Sequence, residues 1–209
     1  MNLGAIGSIP YQKTVDKSLP NICVLRKFDS NYGWFFEFFF GYNLNEKVSM
    51  NSGLNLSRSI IKYYDTIGYI ISKGNLINAS IIIPLLVKFK FSKRLPFYLG
   101  LGSYFGIPLS IRQKGTYFID TSKLNPFDPG DSLLKTIEPT TNYNSDVKQS
   151  YKSIDFGLLL EIDYKIKLRK KLSLLLFSRT NFGLLNTYQK ESNFKWKNYN
   201  ILLGVGLSK

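Results

Sequence analysis

Histidine is absent from this sequence, and Cys23 is its single cysteine. Without histidine the chain cannot build a Ser-His-Asp triad, a histidine general base or the ligand sets of most zinc sites. A single cysteine excludes an intramolecular disulfide. We therefore expect a protein that is not an enzyme and that carries no metal and no cofactor.

Long apolar runs and helical patterns are missing as well. No stretch of 18 apolar residues occurs, which excludes an ordinary transmembrane helix, and no long segment shows a 3.6-residue period. Aromatic residues are abundant instead, with 14 Tyr and 16 Phe. Because aromatic side chains fit the pleated surface of a sheet, this composition favours β-strands.

The clearest pattern is the alternation of side chains over 154–168. The even positions, from Ile154 to Leu168, are all apolar or aromatic, whereas the odd positions are mostly charged, as at Glu161 and Asp163. A strand places successive side chains on opposite faces, so the segment predicts one apolar and one polar face. It is longer than the usual five or six residues, and about nine to eleven tilted residues span a bilayer.

The same period of two recurs along the chain. It is found at 33–44, 48–60, 77–91, 97–112, 172–184 and 199–207, and a first strand is expected near 3–9. In 97–112 the odd positions, including Ile111, form the apolar face, and Arg112 lies on the opposite one. The sequence thus predicts about eight antiparallel strands.

The direction of the apolar face separates two kinds of fold. In a soluble sandwich or a lipocalin-like barrel this face forms the core, whereas in a membrane barrel it contacts lipid and the polar face fills the lumen. Gly, Ser and Asn crowd the polar face here, which suits a narrow lumen. We predict an all-β fold: a closed, antiparallel, up-and-down transmembrane barrel of about eight strands. Trp34, Tyr42 and Tyr164 are expected near the membrane interfaces.

Short and long connections alternate between the predicted strands. The segments 45–47, 92–94 and 169–171 are tight turns, and long outer loops are predicted at about 11–32, 61–76, 113–152 and 186–195. Outer-membrane barrels have short periplasmic turns and long outer loops. The chain 1–209 is therefore predicted to form a single monomeric barrel domain in the outer membrane of a Gram-negative bacterium. Because Met1–Gly4 show no signal-peptide start, we expect the mature form of an exported protein.

Six segments together resemble, in the same order, the PorT-like outer-membrane barrel family of Bacteroidota. They are "NLGAIGSI" (2–9), "IPLLVKFKF" (83–91), "LPFYLGLGSYFGIPLS" (95–110), "IDFGLLLEIDYKI" (154–166), "LSLLLFSRTNFGLLN" (172–186) and "NILLGVGLSK" (200–209). The resemblance implies an outer-membrane location, and some members of that family are linked to protein secretion. The end at Leu207-Ser208-Lys209 departs from the aromatic residue with which such barrels commonly finish.

The formal net charge of +14 has two interpretations. The basic residues either lie in solvated turns and loops or contact an anionic surface such as lipid head groups or lipopolysaccharide. They are scattered among aromatic strands without a nucleic-acid-binding motif, so no nucleic-acid partner is expected. The expected partners are the lipid bilayer, lipopolysaccharide and an unidentified envelope protein.

The parity of the strands predicts pairs inside the lumen. Directly opposed residues share a face, so the turn at 169–171 places Glu161 opposite Arg179, and the turn at 45–47 places Glu37 opposite Asn55. For the carboxylates Glu161 and Asp163, salt bridges are the expected role rather than acid–base catalysis. We predict an interior polar network that plugs the barrel and consists of Glu37, Asn55, Lys88, Glu161, Asp163 and Arg179.

The predicted loop 113–152 is the candidate surface for partner contact, because loops carry function on rigid scaffolds. Its candidate residues are Asp128, Asp131 and Tyr143. The spacing of Asp128 and Asp131 fits no established calcium-binding loop.

Two classes of function stay open. The first is a non-enzymatic barrel with a filled lumen that acts as a structural or interaction protein, in secretion or envelope maintenance. The second is a narrow passive pore for small solutes, and a soluble ligand-binding barrel is a third alternative. Side chains nearly fill an eight-stranded barrel, and the lumen positions include Phe35, Phe39, Tyr98, Tyr104, Leu159 and Phe177. These bulky residues favour the first class.

Overall fold

The computed structural model describes residues 2–8, 24–29, 31–67, 70–91, 96–119, 140–169, 172–185 and 199–208. The strands are β1 (Asn2–Ser8), β2 (Val24–Asp29), β3 (Asn31–Asn43), β4 (Val48–Ile67), β5 (Ile70–Lys90), β6 (Phe97–Ile119), β7 (Thr140–Asp146), β8 (Asp155–Arg169), β9 (Leu172–Gly183) and β10 (Tyr199–Ser208). A single 3-10 turn, Lys148–Ser150, follows β7. In this part of the chain, no helix has the length and apolar character needed to cross a membrane.

Among the described residues, eight strands close into a ring. Each pairs with two antiparallel neighbours in the order β1, β3, β4, β5, β6, β8, β9 and β10, and β10 pairs back with β1. Each strand predicted from the alternation overlaps one strand of this ring, so the predicted fold class is confirmed. Ring closure leaves no unpaired edge, which a strand inside a bilayer cannot tolerate.

The two ends of the barrel differ in their connections. At the tight-turn end, the Asn45 side chain accepts hydrogen bonds from the backbone N–H groups of Lys47 and Val48, both at 2.8 Å. This local bonding closes the predicted turn 45–47 with few residues. The turns predicted at 92–94 and 169–171 fall wholly or largely outside the described residues. The opposite end, which contains Ile67 and Ile119, is called the extended end below.

The polarity of the barrel is the reverse of that of a soluble protein. Glu37, Glu161 and Arg179 are buried inside, whereas outward side chains such as Phe40 and Leu203 are 71% and 60% exposed. Large exposed apolar residues occur on all seven ring strands whose side chains are described. A soluble protein does not expose such a continuous apolar surface to water. The alternative of a soluble, lipocalin-like barrel is therefore wrong.

Three neighbouring strands continue beyond the ring at the extended end. β4 and β5 stay paired up to Ile67 and Ile70, and β5 pairs with β6 up to Ile119, whereas β8 leaves β6 at Gly106. At this level β2 pairs with β4, and β7 pairs with β6. The result is a five-stranded wall in the order β2-β4-β5-β6-β7 on one side of the barrel.

The wall corrects the loop predicted at 61–76. The chain there forms two paired strands, apart from 68–69, which lie outside the described residues. The alternation of apolar and polar residues fades in this region, because a strand beyond the lipid no longer needs an apolar outer face. The predicted loops at 11–32 and 113–152 also contain strand, namely β2, the start of β3, the end of β6, and β7. The predicted loop at 186–195 lies outside the described residues.

A β-bulge reverses the facing of side chains along β6. The register of β5 with β6 shifts between Ala79 and Ser80. Ile107, before the unpaired Leu109, faces outward, whereas Ile111, beyond it, is buried and Arg112 is exposed. The prediction that Ile111 belongs to the apolar outer face and Arg112 to the opposite face is therefore wrong. One extra residue in a strand turns all the following side chains to the other face.

An apolar cluster covers the inner face of the wall. Ile61, Tyr63, Leu76 and Ile111 are buried there, and Tyr143, Val147 and Tyr151 pack against them. The hydroxyl groups of Tyr143 and Ser72 are hydrogen bonded at 2.9 Å. The Tyr143 ring stacks on the Tyr117 ring, with the centroids 4.3 Å apart. Tyr143 is thus a packed residue of β7 rather than the exposed loop contact that the sequence predicts.

Candidate functional site: the interior ion network

One row of directly opposed residues crosses four strands inside the lumen. Lys88 of β5 faces Gly100 of β6, Gly100 faces Glu161 of β8, and Glu161 faces Arg179 of β9. A Cβ atom at Gly100 would lie 3.3 Å from Glu161 Cβ and 3.4 Å from Lys88 Cγ. Glycine at position 100 therefore leaves the space across which Lys88 reaches Glu161.

Arg179 joins this row to β3 on the other side of the lumen. Its Nε donates to Glu161, while Nη1 and Nη2 donate to the two carboxylate oxygens of Glu37 at 2.7 and 2.9 Å. Asn55, which faces Glu37 across β3 and β4, donates from Nδ2 to Glu37 Oε2 at 3.0 Å. Such fork-shaped, charge-assisted bonds are the strongest that a guanidinium makes. They fix the planar head of Arg179 across the lumen.

Lys88 is the second cation of the site. Its ammonium group forms ion pairs with Glu161 and with Asp163, and it lies 4.6 Å from the centre of the Phe39 ring. Asp163 belongs to the inward face of β8, two residues beyond Glu161. Lys88 therefore connects both carboxylates of β8 to β5.

The structure brings all six residues of the predicted network together. Both predicted registers, Glu161 with Arg179 and Glu37 with Asn55, are confirmed. Three carboxylates and two cations meet here, and Arg179, Glu161 and Glu37 are at most 2% exposed. Charges removed from water in this way are tolerated only when each has close partners. The arrangement is a bonded cross-brace between the strands of the barrel.

Aromatic rings reinforce the brace. Phe35 and Phe177 meet edge to face inside the lumen, with centroids 5.8 Å apart and planes at 69°. Leu175 and Leu202 complete the same buried cluster. A Cβ atom at Gly204 would lie 2.9 Å from Phe35 and still closer to Phe177. Glycine at 204 therefore allows the two rings to occupy the lumen, as the sequence predicts for Phe35 and Phe177.

A second polar layer, which the sequence does not predict as part of the network, lies nearer the extended end. Tyr104 donates from its hydroxyl to Asp155 Oδ2 at 3.0 Å. Asn181, 1% exposed, also lies inside. A cavity of about 60 Å³ lies beside them and is bounded toward the extended end by Ile61, Leu76 and Tyr151. Asp155 and Asn181 share the inward parity of Glu161 and Arg179, and this parity is the sequence signal from which their position in the lumen could have been predicted.

The remaining candidates lie away from the network. Asp128 and Asp131 are outside the described residues. Trp34, Tyr42 and Tyr164 point outward with exposed fractions of 53%, 71% and 44%, as their expected interfacial position requires. Among the described side chains, no group of three or more His, Cys, Asp or Glu residues has the arrangement of a metal site.

A closed ring with an apolar exterior and a bonded ionic interior is the architecture of a membrane-spanning β-barrel. Residues 1–189 match the family described as outer membrane protein beta-barrel domain. The chain belongs to this family, and its location is the outer membrane. No curated protein sequence matches the chain.

Comparison with solved structures supports the same fold. The crystal structure of the outer membrane protein OprG from Pseudomonas aeruginosa aligns over 100% of this chain and 93% of that chain, with a TM-score of 0.51 and 12% identity. At this identity the likeness shows the fold alone. The NanC porin aligns over 99% of this chain and 100% of that chain, but its TM-score of 0.24, at 6% identity, carries no argument.

Proposed function

We propose that this protein is a non-enzymatic outer-membrane barrel that is closed by its own side chains and that holds a sheet at the cell surface for contact with another envelope component. The observation that carries the proposal is the Arg179 brace, which ties β9 to its neighbour β8 and, across the lumen, to β3. A barrel that transports solutes has to keep this space open, whereas a barrel that serves as an anchor gains stability from filling it.

The five-stranded wall supports the contact role. Short turns lie on the periplasmic side of outer-membrane barrels, so the extended end faces the outside in this proposal. Residues 107–119 of β6 continue past the last pairing of β6 with β8, which corresponds to about 40 Å of strand at ~3.3 Å per residue. From Arg112, which is opposite Ile77 at the end of the apolar outer face, to Ile119 the strand covers about 23 Å, so the sheet continues beyond the lipid.

The narrower relationship to PorT-like barrels of Bacteroidota, and a role in secretion, form part of this proposal. They rest on the six resembling segments, four of which lie in or around the strands that carry the brace: 83–91, 95–110, 154–166 and 172–186. A monomeric state fits the proposal, because the ring leaves no barrel edge for a second copy to pair with.

A narrow passive pore is the second candidate. The cavity beside Tyr104 and Asp155 favours it, since this cavity offers polar groups to a solute. Its volume of about 60 Å³ holds only a few water molecules, given that one water needs roughly 10–15 Å³ of such space. Toward the tight-turn end the ion network and the Phe35–Phe177 pair close the path.

Single-channel recording in planar bilayers tests the proposal. We expect no discrete conductance steps from the wild-type protein. The variant in which Glu37, Phe35, Phe177 and Arg179 are all replaced by Ser removes the brace and the rings together, and it should produce steps if it folds. Thr180→Ser, the outward neighbour of Arg179, serves as the control and should stay silent. Regular steps from the wild-type barrel would overturn the closed-lumen proposal in favour of the pore.

A further inference from the structure

The outward face of the wall becomes basic where the apolar band of the barrel ends. The outward positions of β5 are apolar from Phe89 to Ile77 and then change to Asn75 and Lys73. Five exposed cations lie on the same face of the three central strands: Arg58 and Lys62 of β4, Lys73 of β5, and Arg112 and Lys114 of β6. We call these five residues the outer basic patch.

The strand register brings the patch together. Lys62 faces Asn75, Asn75 faces Lys114, and Lys114 faces Asn144. In the next row, Tyr64 faces Lys73 and Lys73 faces Thr116. Since directly opposed residues share a face at Cβ separations of about 5 Å, ammonium and amide groups alternate across one continuous surface.

The height of the patch matches the head-group region. From Phe89 to Ile77 the apolar outward face of β5 extends over twelve residue steps, or about 40 Å of strand and about 28 Å of height at a tilt near 45°. The apolar band of outer-membrane barrels is about 25 Å tall. Side chains directly above Ile77, those of Lys62, Lys73 and Lys114, therefore meet lipid head groups rather than acyl chains. Arg112, opposite Ile77, and Arg58, opposite Ala79, lie at or just below this height, and their long side chains extend toward the head groups.

The side chains of the patch have defined positions. Lys73 Nζ lies 5.4 Å from the centre of the Tyr64 ring and 5.5 Å from that of Phe118. Thr116 donates from its hydroxyl to Asn142 Oδ1 at 3.0 Å. Among the described side chains of this surface, Asp146, opposite Arg112, is the acidic one, and its Oδ1 accepts a hydrogen bond from the Lys148 backbone N–H at 2.9 Å. With five cations and this one carboxylate, the described side chains of the surface carry a strong positive charge.

We infer that the outer basic patch binds the phosphate groups of a phosphorylated glycolipid of the outer leaflet, that is, lipopolysaccharide. The lipid places anionic phosphates at the height of Lys62, Lys73 and Lys114, while its acyl chains cover the apolar band below. Lysine, arginine and amide side chains are the donors that phosphate oxygens accept. The inference rests on the proposed outward orientation of the extended end, whereas it is independent of whether the lumen is closed, because the patch lies outside the barrel.

Binding of lipid A to the full-length protein in detergent micelles tests this inference. The patch variant Lys73→Gln/Arg112→Gln/Lys114→Gln should bind bisphosphorylated lipid A about 10-fold more weakly or worse, since three charge-assisted contacts are lost. The matched control Lys47→Gln/Lys167→Gln/Arg169→Gln removes three exposed cations from the tight-turn end. The control should bind like the wild type, and Lys73→Arg/Lys114→Arg should retain binding.

Two further ligands separate the sources of the phosphate. Lipid A without its phosphates should bind the wild-type protein weakly, and inorganic phosphate should not compete at concentrations comparable to those of the lipid. Equal weakening by the patch and control variants, or equal binding of the dephosphorylated lipid, overturns the inference. Competition by inorganic phosphate alone would assign the patch to free anions instead. Heat-dependent gel mobility shows whether each variant is folded. If the triple patch variant does not fold, the single variant Lys114→Gln takes its place and should also bind lipid A more weakly than the wild type.

Discussion

Arg179 of β9 and Glu37 of β3 form a two-point ion pair across the lumen, although β10 and β1 lie between their strands in the ring. The inward residue of β10 opposite Arg179 is the buried Leu202. Gly204, two residues further along β10, leaves room for Phe35 and Phe177, since a Cβ atom there would collide with both rings. The long side chain of Arg179 thus bonds both to Glu161 on the neighbouring β8 and to Glu37 across the lumen.

Arg179→Ala should lower the free energy of unfolding by about 3–5 kcal/mol, because Glu37 then remains buried without its ion pair to Arg179 and Glu161 keeps only Lys88. Urea titration of the protein in lipid vesicles, followed by tryptophan fluorescence, measures the change. Thr180→Ala is the matched control: it lies next in sequence, faces outward and should change the value by no more than about 0.5 kcal/mol. Equal effects of the two substitutions would contradict the brace.

Glu161 and Arg179 should be energetically coupled. The double variant Glu161→Gln/Arg179→Gln should lose less stability than the sum of the two single variants, with a coupling of about 0.5–3 kcal/mol. The reason is that either single change already breaks the bond between Arg179 Nε and Glu161, so the double variant does not lose this bond a second time. Urea titrations of the four proteins in one lipid supply the cycle. Simple additivity would mean that the Nε bond of Arg179 to Glu161 contributes nothing.

A charge on the outer face of β8 should be costly in the middle of the strand. Leu158, 50% exposed in the protein alone, contacts lipid, so Leu158→Lys should destabilise by about 2–4 kcal/mol near the midplane. Leu168→Lys, near the tight-turn end of the same strand, should cost about 0–1 kcal/mol. Spin labels at Leu158 and Ile162 should be accessible to apolar quenchers. Greater accessibility at Leu159 or Glu161 would reverse the assigned faces.

Gly204 should not tolerate a branched side chain. Gly204→Val forces Phe35 and Phe177 apart and should cost about 1–3 kcal/mol or more. Ser178→Val is a suitable control, because Ser178 pairs with Leu203 next to Gly204 and faces lipid. The control should be neutral or slightly stabilising in vesicles. If both valines destabilise equally, strand propensity rather than lumen packing explains the effect.

Trp34 should lie near a membrane interface. The chain has two tryptophans, and Trp196→Phe leaves Trp34 as the single reporter. Because an indole ring combines apolar area with an N–H donor, it prefers the head-group region. Lipids that carry a quencher at shallow depth should quench its fluorescence more strongly than lipids labelled near the acyl-chain ends. The reverse order would place Trp34 at the bilayer centre and disprove the interfacial assignment.

The barrel and part of its interior could be predicted from sequence because strand parity is a local property. The alternation in 154–168 and 172–184 assigned the two faces, and the turns at 169–171 and 45–47 set the registers of Glu161 with Arg179 and of Glu37 with Asn55. Parity also predicted that Lys88 and Asp163 face the lumen. These inferences need only neighbouring strands and the spacing of a turn.

The tertiary structure decided everything that depends on non-neighbouring strands or on a change of period. The contact of Arg179 with Glu37 requires that the ring of strands closes and that an arginine side chain is long enough to cross the lumen. Neither property can be predicted from the sequence of a single strand. The bulge beside Ala79 and Ser80 reversed Ile111 and Arg112, because an unpaired residue in one strand is defined only by its partner. The wall beyond Ile60 escaped prediction because polarity alternates only where one face of a strand meets lipid, whereas backbone pairing continues wherever two strands run together.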